Sequence, residues 1–229
     1  MKIIQSIESV YNAQKEINEL LKVKIDSIFK NTKKASWHFI SRIKTIESFA
    51  LKIETGRYLN PHQLEDFFAC TLVVENLSAI KDAALLIKMH LEIFERRPKI
   101  ETHTHKESSS FEFDDIRLYC RLKKVPFLPP DPLHDILFEV QVKTFLQHAW
   151  GLATHDLIYK ADEISWPKER VAFQIKAMLE QAEVAISGVN GLITMPEINK
   201  DNDHIFRLKE IIRFYQTHFV KDELPRDLV

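Results

Sequence analysis

Lys44, Ser48 and Lys52 recur at intervals of four, which on a helix sets two ammonium groups and a hydroxyl in one stripe. At the usual helical rise the stripe spans roughly 12 Å, the length of a triphosphate. Arg42 stands just before it, on another face. The plain alternative is a solvated helix face. Two carboxylates offer the complementary chemistry. Asp66 opens one apolar run, and Glu139 sits inside another between Phe138 and Val140. An acid set among core residues loses hydration unless something pairs with it. A Mg²⁺ shared by Asp66 and Glu139 would offset that loss, because this cation commonly combines one or two carboxylates with substrate phosphates. The competing reading is a strand-edge or salt-bridged acid.

Composition narrows how phosphate can be held. The chain has 229 residues and only four glycines, Gly56, Gly151, Gly188 and Gly191. Neither a Gly-x-Gly-x-x-Gly turn nor a Walker loop can be written with them. Side chains must do what a backbone cradle does elsewhere. A formal charge of −1 supplies no global field toward DNA or an anionic membrane, so an anion site must be a local cluster. Cys70 and Cys120 are isolated in apolar stretches and read as buried thiols in a reducing compartment, not as a zinc knuckle or a disulfide scaffold. With no membrane-spanning run and no signal-peptide core at the start, the expected location is the cytoplasm.

The elements that must position these groups follow from periodicity. Ile7, Val10, Ile17, Leu21, Ile25 and Ile28 predict a first helix from Ile3 to about Phe29. A second is expected from Ser36 to Thr55, with Trp37, Ile40, Ile43 and Ile46 inward and Gly56 as its stop. Phe67–Val74 reads as a buried strand, Leu77 to about Leu91 as a helix, and Glu92–Glu101 as a strand. Residues 116–123 alternate Ile, Leu, Cys, Leu against Arg, Tyr, Arg, Lys, the period of a half-solvated strand. Ile136–Val142 is a further strand, followed by helices from Thr144 to Tyr159, Pro167 to Val189 and His204 to Phe219. The class is mixed α/β, with residues 1–190 as the main domain and 191–229 as a helical extension. His103 and His105 fall in a polar stretch without acidic or Cys neighbours, a poor metal site.

One block is more specific: Glu139-Val-Gln141-Val-Lys143-Thr144, then His148-Ala-Trp150, then His155-Asp-Leu-Ile-Tyr159-Lys160. It closely resembles the RelA/SpoT synthetase family, whose pattern reads Glu-x-Gln-Ile-Arg-Thr, His-Ala-Trp and His-Asp-Leu-x-Tyr-Lys. The same family has an Arg-x-Lys-x-x-x-Ser-x-x-x-Lys block, met by Arg42, Lys44, Ser48 and Lys52, and then an Asp-led strand, met by Asp66. The resemblance covers about Arg42 to Lys160.

This resemblance implies a nucleotidyltransferase-like mixed sheet flanked by helices. It also implies transfer of pyrophosphate from ATP to the 3′-hydroxyl of GDP or GTP, with AMP released. Carried over by position, Lys44, Ser48 and Lys52 grip the donor phosphates and Arg42 stacks on adenine. Asp66 binds Mg²⁺, Glu139 assists the metal and takes or orients the acceptor proton, and Gln141 supports the site. His155 would donate to a phosphate or to Glu139, or pack structurally. With 35 residues before Ser36, the family's companion hydrolase domain is not expected ahead of this one.

Two departures bear on the substrates. Thr71 stands where the family's Asp-x-x-Gly-x-Arg strand has its arginine, and Ala69 where it has glycine. The acceptor pattern Tyr-x-Ser-x-His is replaced by Phe113-Asp-Asp115-Ile-Arg117. Phe113 keeps a stacking face, Arg117 can meet a phosphate, and Asp114 and Asp115 would repel one. Lys143 replaces an arginine, keeping charge and losing the bidentate fork. The altered block leaves room for an adenine nucleotide or a tRNA 3′ end as acceptor, or for a nucleotide-binding module without turnover. A homo-oligomer or a neutralising antitoxin partner would be consistent with either.

Overall fold

The computed structural model describes residues 3–54, 64–99, 115–124, 131–158 and 165–219, with the side chains of 155–158 and of 190 outside that description. His103, His105, Tyr159 and Lys160 lie outside it as well. The chain divides into two compact units, Met1–Val184 and Ala185–Val229.

In the first unit, α1 (Gln5–Thr32) buries Tyr11, Asn18, Leu21, Ile25 and Phe29, one face at helical spacing. It is followed by β1 (His38–Ile43), α2 (Ile46–Glu54) and β2 (Phe68–Val74). The expected single helix from Ser36 to Thr55 is therefore a strand and a helix. Trp37, Ile40 and Ile43 mimic a helical repeat, but His38–Ile43 pairs antiparallel with β2 along its whole length, and Ile40 is 47% exposed. Thr45 starts the real helix, its hydroxyl accepting the Ser48 amide at 3.3 Å, as an N-cap does.

A short 3₁₀ turn, capped by Asn76, leads into α3 (Ile80–His90). Then come β3 (Leu91–Arg97), β4 (Ile116–Leu122), β5 (Phe138–Thr144), α4 (Phe145–Ile158) and α5 (Trp166–Ser187). The five strands form one sheet in the order β1-β2-β5-β4-β3. Only β2 and β5 are parallel; the other pairs are antiparallel.

Because side chains alternate across a strand, this sheet has two unlike faces. Phe68, Cys70, Leu72 and Val74 of β2, with Phe138, Val140 and Val142 of β5, meet α1 and α3 in the main core. The intervening residues turn to the other face, and the functional side chains are drawn from these. A smaller cluster of Tyr11, Phe49, Leu64 and Phe67 ties α1 and α2 to the turn before β2. Thr144 ends β5 and caps α4 reciprocally with Gln147, at 3.0 and 3.1 Å, the geometry of a capping box. The second unit carries α6 (Val189–Leu192) and α7 (Asp203–His218), with Asn202 as the α7 cap. No helix among the described residues is long and apolar enough to cross a membrane.

Candidate active site

Strand register sets the site. Arg42 of β1 lies opposite Ala69 of β2, Ala69 opposite Glu139 of β5, and Glu139 opposite Tyr119 of β4. Cross-strand neighbours share a face, so these residues form one row on the side away from the main core. The next row runs Ile40, Thr71, Gln141, Arg117. Arg42, Thr71, Arg117, Gln141 and Lys143 line a cavity of about 690 Å³, walled on one side by His148, Trp150 and Thr154 of α4.

Beside this cavity, Lys44 and Lys52 converge on Asp66. Both ammonium groups bind the same oxygen, Oδ2, at 2.9 and 2.7 Å. Burial works to raise the Asp66 pKa, but hydrogen bonds and charge from Lys52 and Lys44 outweigh it and hold the carboxyl below its ordinary value. Its second oxygen, Oδ1, is buried and meets no hydrogen-bond partner among the described residues. Lys44 is anchored in turn: its amide donates to Phe67 O at 2.8 Å, and its carbonyl accepts the Tyr11 hydroxyl at 2.9 Å. Of the expected stripe, Ser48 and Lys52 lie on α2 and Lys44 precedes it. Ser48 is exposed, and its hydroxyl accepts from Thr45 Oγ1 at 3.1 Å.

Glu139 is 5% exposed. Gln141 donates to its Oε1, and the Tyr119 hydroxyl donates to its Oε2 at 3.2 Å. A buried carboxylate held by two donors satisfies the rule that buried charge must be paired or hydrogen-bonded. Asp66 lies in the turn two residues before β2, and Glu139 is the second residue of β5, which pairs parallel with β2. No cluster of three or more metal-ligating side chains exists among the described residues. The donor set suits a hard cation that takes its remaining ligands from substrate and water, and Asp66 Oδ1 is an orphaned acceptor for it.

On the acceptor side, Asp115 does not stand alone as a repelling charge. It is 7% exposed and binds Arg117 Nε at 3.3 Å and Lys143 Nζ at 3.5 Å. Burial lowers the Lys143 pKa against the pull of Asp115. For Arg117 burial also pulls downward, but Asp115 and Glu139 together raise its pKa. His148 is held below the ordinary imidazole value by burial, then by Lys143 and His38. Trp150 is structural: its indole donates to Ala172 O at 3.0 Å, joining α4 to α5. Phe113 and the His155 side chain lie outside the described residues.

Asp115, Tyr119 and Arg97 are the residues of this site that sequence reading assigned no helpful role. Tyr119 and Arg117 were on the polar side of the alternating 116–123 pattern, a signal of face but not of partner.

Comparison with known proteins places these features in context. Residues 41–164, more than half of the chain, match the region found in RelA / SpoT proteins. No curated protein sequence matches. Among solved structures, the small alarmone synthetase 1 from Bacillus subtilis bound to its product pppGpp is 17% identical, with a TM-score of 0.56 over 79% of this chain and 94% of that one. A GTP pyrophosphokinase family protein from Streptococcus pneumoniae is 18% identical, with a TM-score of 0.59 over 87% and 100%. The small alarmone synthetase 2 from Bacillus subtilis is 17% identical, with a TM-score of 0.55 over 81% and 96%. All three share the fold.

Proposed function

The chain belongs to the RelA/SpoT synthetase family, and from that premise we propose that it transfers pyrophosphate from ATP to the 3′-hydroxyl of a nucleotide acceptor. The acceptor oxygen attacks the β-phosphorus, the bond from that phosphorus to the oxygen shared with the α-phosphate breaks, and AMP leaves. Such transfer asks little covalent chemistry of a protein; it asks for charge neutralisation and in-line positioning. The observation that carries the reading is the convergence of Lys44 and Lys52 on one oxygen of Asp66, with the other oxygen buried and without a hydrogen-bond partner among the described residues.

In this reading Lys44 and Lys52 hold the donor phosphates, Arg42 covers the adenine and Ser48 closes the phosphate end. Glu139, steadied by Gln141 and Tyr119, receives the acceptor proton. Arg117, Lys143, Phe113 and His155 serve the acceptor. Asp66 and Glu139 would hold Mg²⁺, which when bound offsets the charge of the donor phosphates. GDP and GTP are the first acceptors to test, supported by the pppGpp product held by a protein of the same fold.

The Asp115 contacts favour a second reading of the acceptor. With Arg117 and Lys143 both engaged by one carboxylate, less net charge faces a 5′-polyphosphate, which suits an acceptor with none beside its reacting hydroxyl, such as a tRNA 3′ end; an adenine nucleotide carries the same polyphosphate as GDP or GTP and is separated from them only by its base. Loss of turnover, leaving a nucleotide-binding module, is the contrasting outcome. One assay separates them: Mg²⁺ and β,γ-labelled ATP with GDP, GTP, ADP or deacylated tRNA, following label and AMP. Label entering an acceptor with equal AMP is expected. Nucleotide binding without label in any acceptor would overturn the enzymatic reading.

A further inference from the structure

The edge strand β3 contains a register shift. Ile93 pairs with Cys120 and Glu95 pairs with Tyr119, so Phe94 is an extra residue between them. A one-residue bulge reverses which face the following side chains occupy. Leu91 and Ile93 belong to the core face; by simple alternation Glu95 and Arg97 would follow them there. The bulge turns both to the opposite face, where they lie opposite Tyr119 and Arg117.

Arg97 uses that placement in three ways. Its Nη1 donates to the Tyr119 hydroxyl oxygen at 3.0 Å, its guanidinium lies 4.5 Å from the centre of the Tyr119 ring, and its Nε donates to Glu95 at 2.8 Å. With Arg97 donating to the phenol oxygen, the phenol proton is directed to Glu139 Oε2, where the 3.2 Å bond is found.

We propose that Tyr119 and Arg97 are positioning residues for the Glu139 carboxylate, and that the Phe94 bulge is the device that delivers Arg97 to it. The inference rests on the proposed role of Glu139 as acceptor of the substrate proton. Neither residue touches the reacting atoms: Tyr119 fixes the carboxylate's orientation and Arg97 fixes the phenol. The charged and titratable groups around this pair are Arg117 from β4, Lys143 from β5, Cys70 from β2, Glu65 before β2, and Glu95 from β3.

Two measurements test the proposal on the full chain. The first needs no turnover: NMR of tyrosine ζ-carbons at one neutral pH. The Tyr119 signal should move both on Glu139→Gln and on Arg97→Ala, because each removes one of its two hydrogen-bond partners, while the Tyr215 signal stays in place. A Tyr119 signal that ignores both substitutions would overturn the contact network.

The second is kinetic, with thermal melts confirming that each variant folds. Tyr119→Phe should lower kcat about tenfold, part of the roughly 10²–10⁴-fold that general-base assistance supplies, while leaving both KM values within about twofold of the starting protein. Its acid limb of rate against pH should move to higher pH. Arg97→Lys should recover part of the kcat lost in Arg97→Ala. Unchanged kcat and acid limb in Tyr119→Phe would refute the positioning role. A starting protein that transfers nothing would instead overturn the proposed function, and the NMR outcome would still decide the Tyr119 network.

Discussion

Lys52, in the last turn of α2, reaches the same carboxylate oxygen of Asp66 that Lys44 binds from before the helix, at 2.7 Å against 2.9 Å. In the proposed reading, these two cations brought to one oxygen would form an anion site built from side chains, without a glycine loop.

Asp66→Asn should abolish transfer, with a loss of at least a hundredfold, and should weaken the fold by about 2 kcal/mol through the loss of charge-assisted hydrogen bonds. The pH dependence has a definite sign. The folded pKa of Asp66 lies below its unfolded value, so its contribution is fully present above the unfolded pKa and is lost as pH falls through the folded one. Denaturant melts from neutral pH into the acid range should therefore fall less steeply for Asp66→Asn than for the starting protein. Parallel slopes would count against the ion pairs.

Tyr11→Phe removes the hydrogen bond that α1 gives to the Lys44 carbonyl while keeping the ring packed against Phe49 and Phe67. The expected stability cost is about 1 kcal/mol. A several-fold rise in KM for ATP should accompany it, with acceptor KM unchanged, because the loop carrying Lys44 loses its tether. Steady-state kinetics at varied ATP read this directly.

Asp115→Asn releases Arg117 and Lys143 from their shared counter-charge. Acceptors carrying a 5′-polyphosphate should then bind several-fold more tightly, and acceptors without one should be unaffected. Titration of GTP against guanosine by calorimetry checks the difference.

Thr144→Val deletes the hydroxyl that donates to Glu183, a residue already buried and with its second oxygen unpaired among the described residues. It also removes half of the α4 capping box. Together these should cost about 2–4 kcal/mol, seen as a lowered Tm. Thr144→Ser should restore most of it.

Cys70 and Cys120 should resist alkylation in the native protein at about pH 8 and both react on unfolding. Burial raises both thiol pKa values, that of Cys120 to about 12. Rapid native labelling of either would contradict their placement in the core.

How much of this could be read in the sequence varied with what each residue depends on. The polar side of β4 was legible, because Arg117, Tyr119 and Arg121 follow a strict period of two and nothing interrupts it. Glu139 and Gln141 were legible as chemistry, since a carboxylate among core residues demands partners. β1 was not, because Trp37, Ile40 and Ile43 are spaced three apart and imitate a helix, and only pairing with β2 decides otherwise. Lys44 was drawn onto one helix with Ser48 and Lys52 by the same error; the latter two share α2 and Lys44 precedes it. Arg97 was hidden more deeply: its face is set by the bulge at Phe94, which no periodicity in Leu91–Arg97 discloses. The Asp115 contacts depend on Lys143 arriving from another strand, so in one dimension only its like charge to a phosphate was visible.

The alternation along β2 and β5 has a consequence for how such a chain can change. Ala69, Thr71, Gln141 and Lys143 line the cavity, while their immediate neighbours Cys70, Leu72, Val140 and Val142 pack in the main core on the opposite face. Adjacent codons are thus under unrelated pressures. A combinatorial library confined to every second position of these two strands would explore new acceptors within a scaffold whose ability to fold is left alone, and ancestry could have wandered through substrate preferences by the same route.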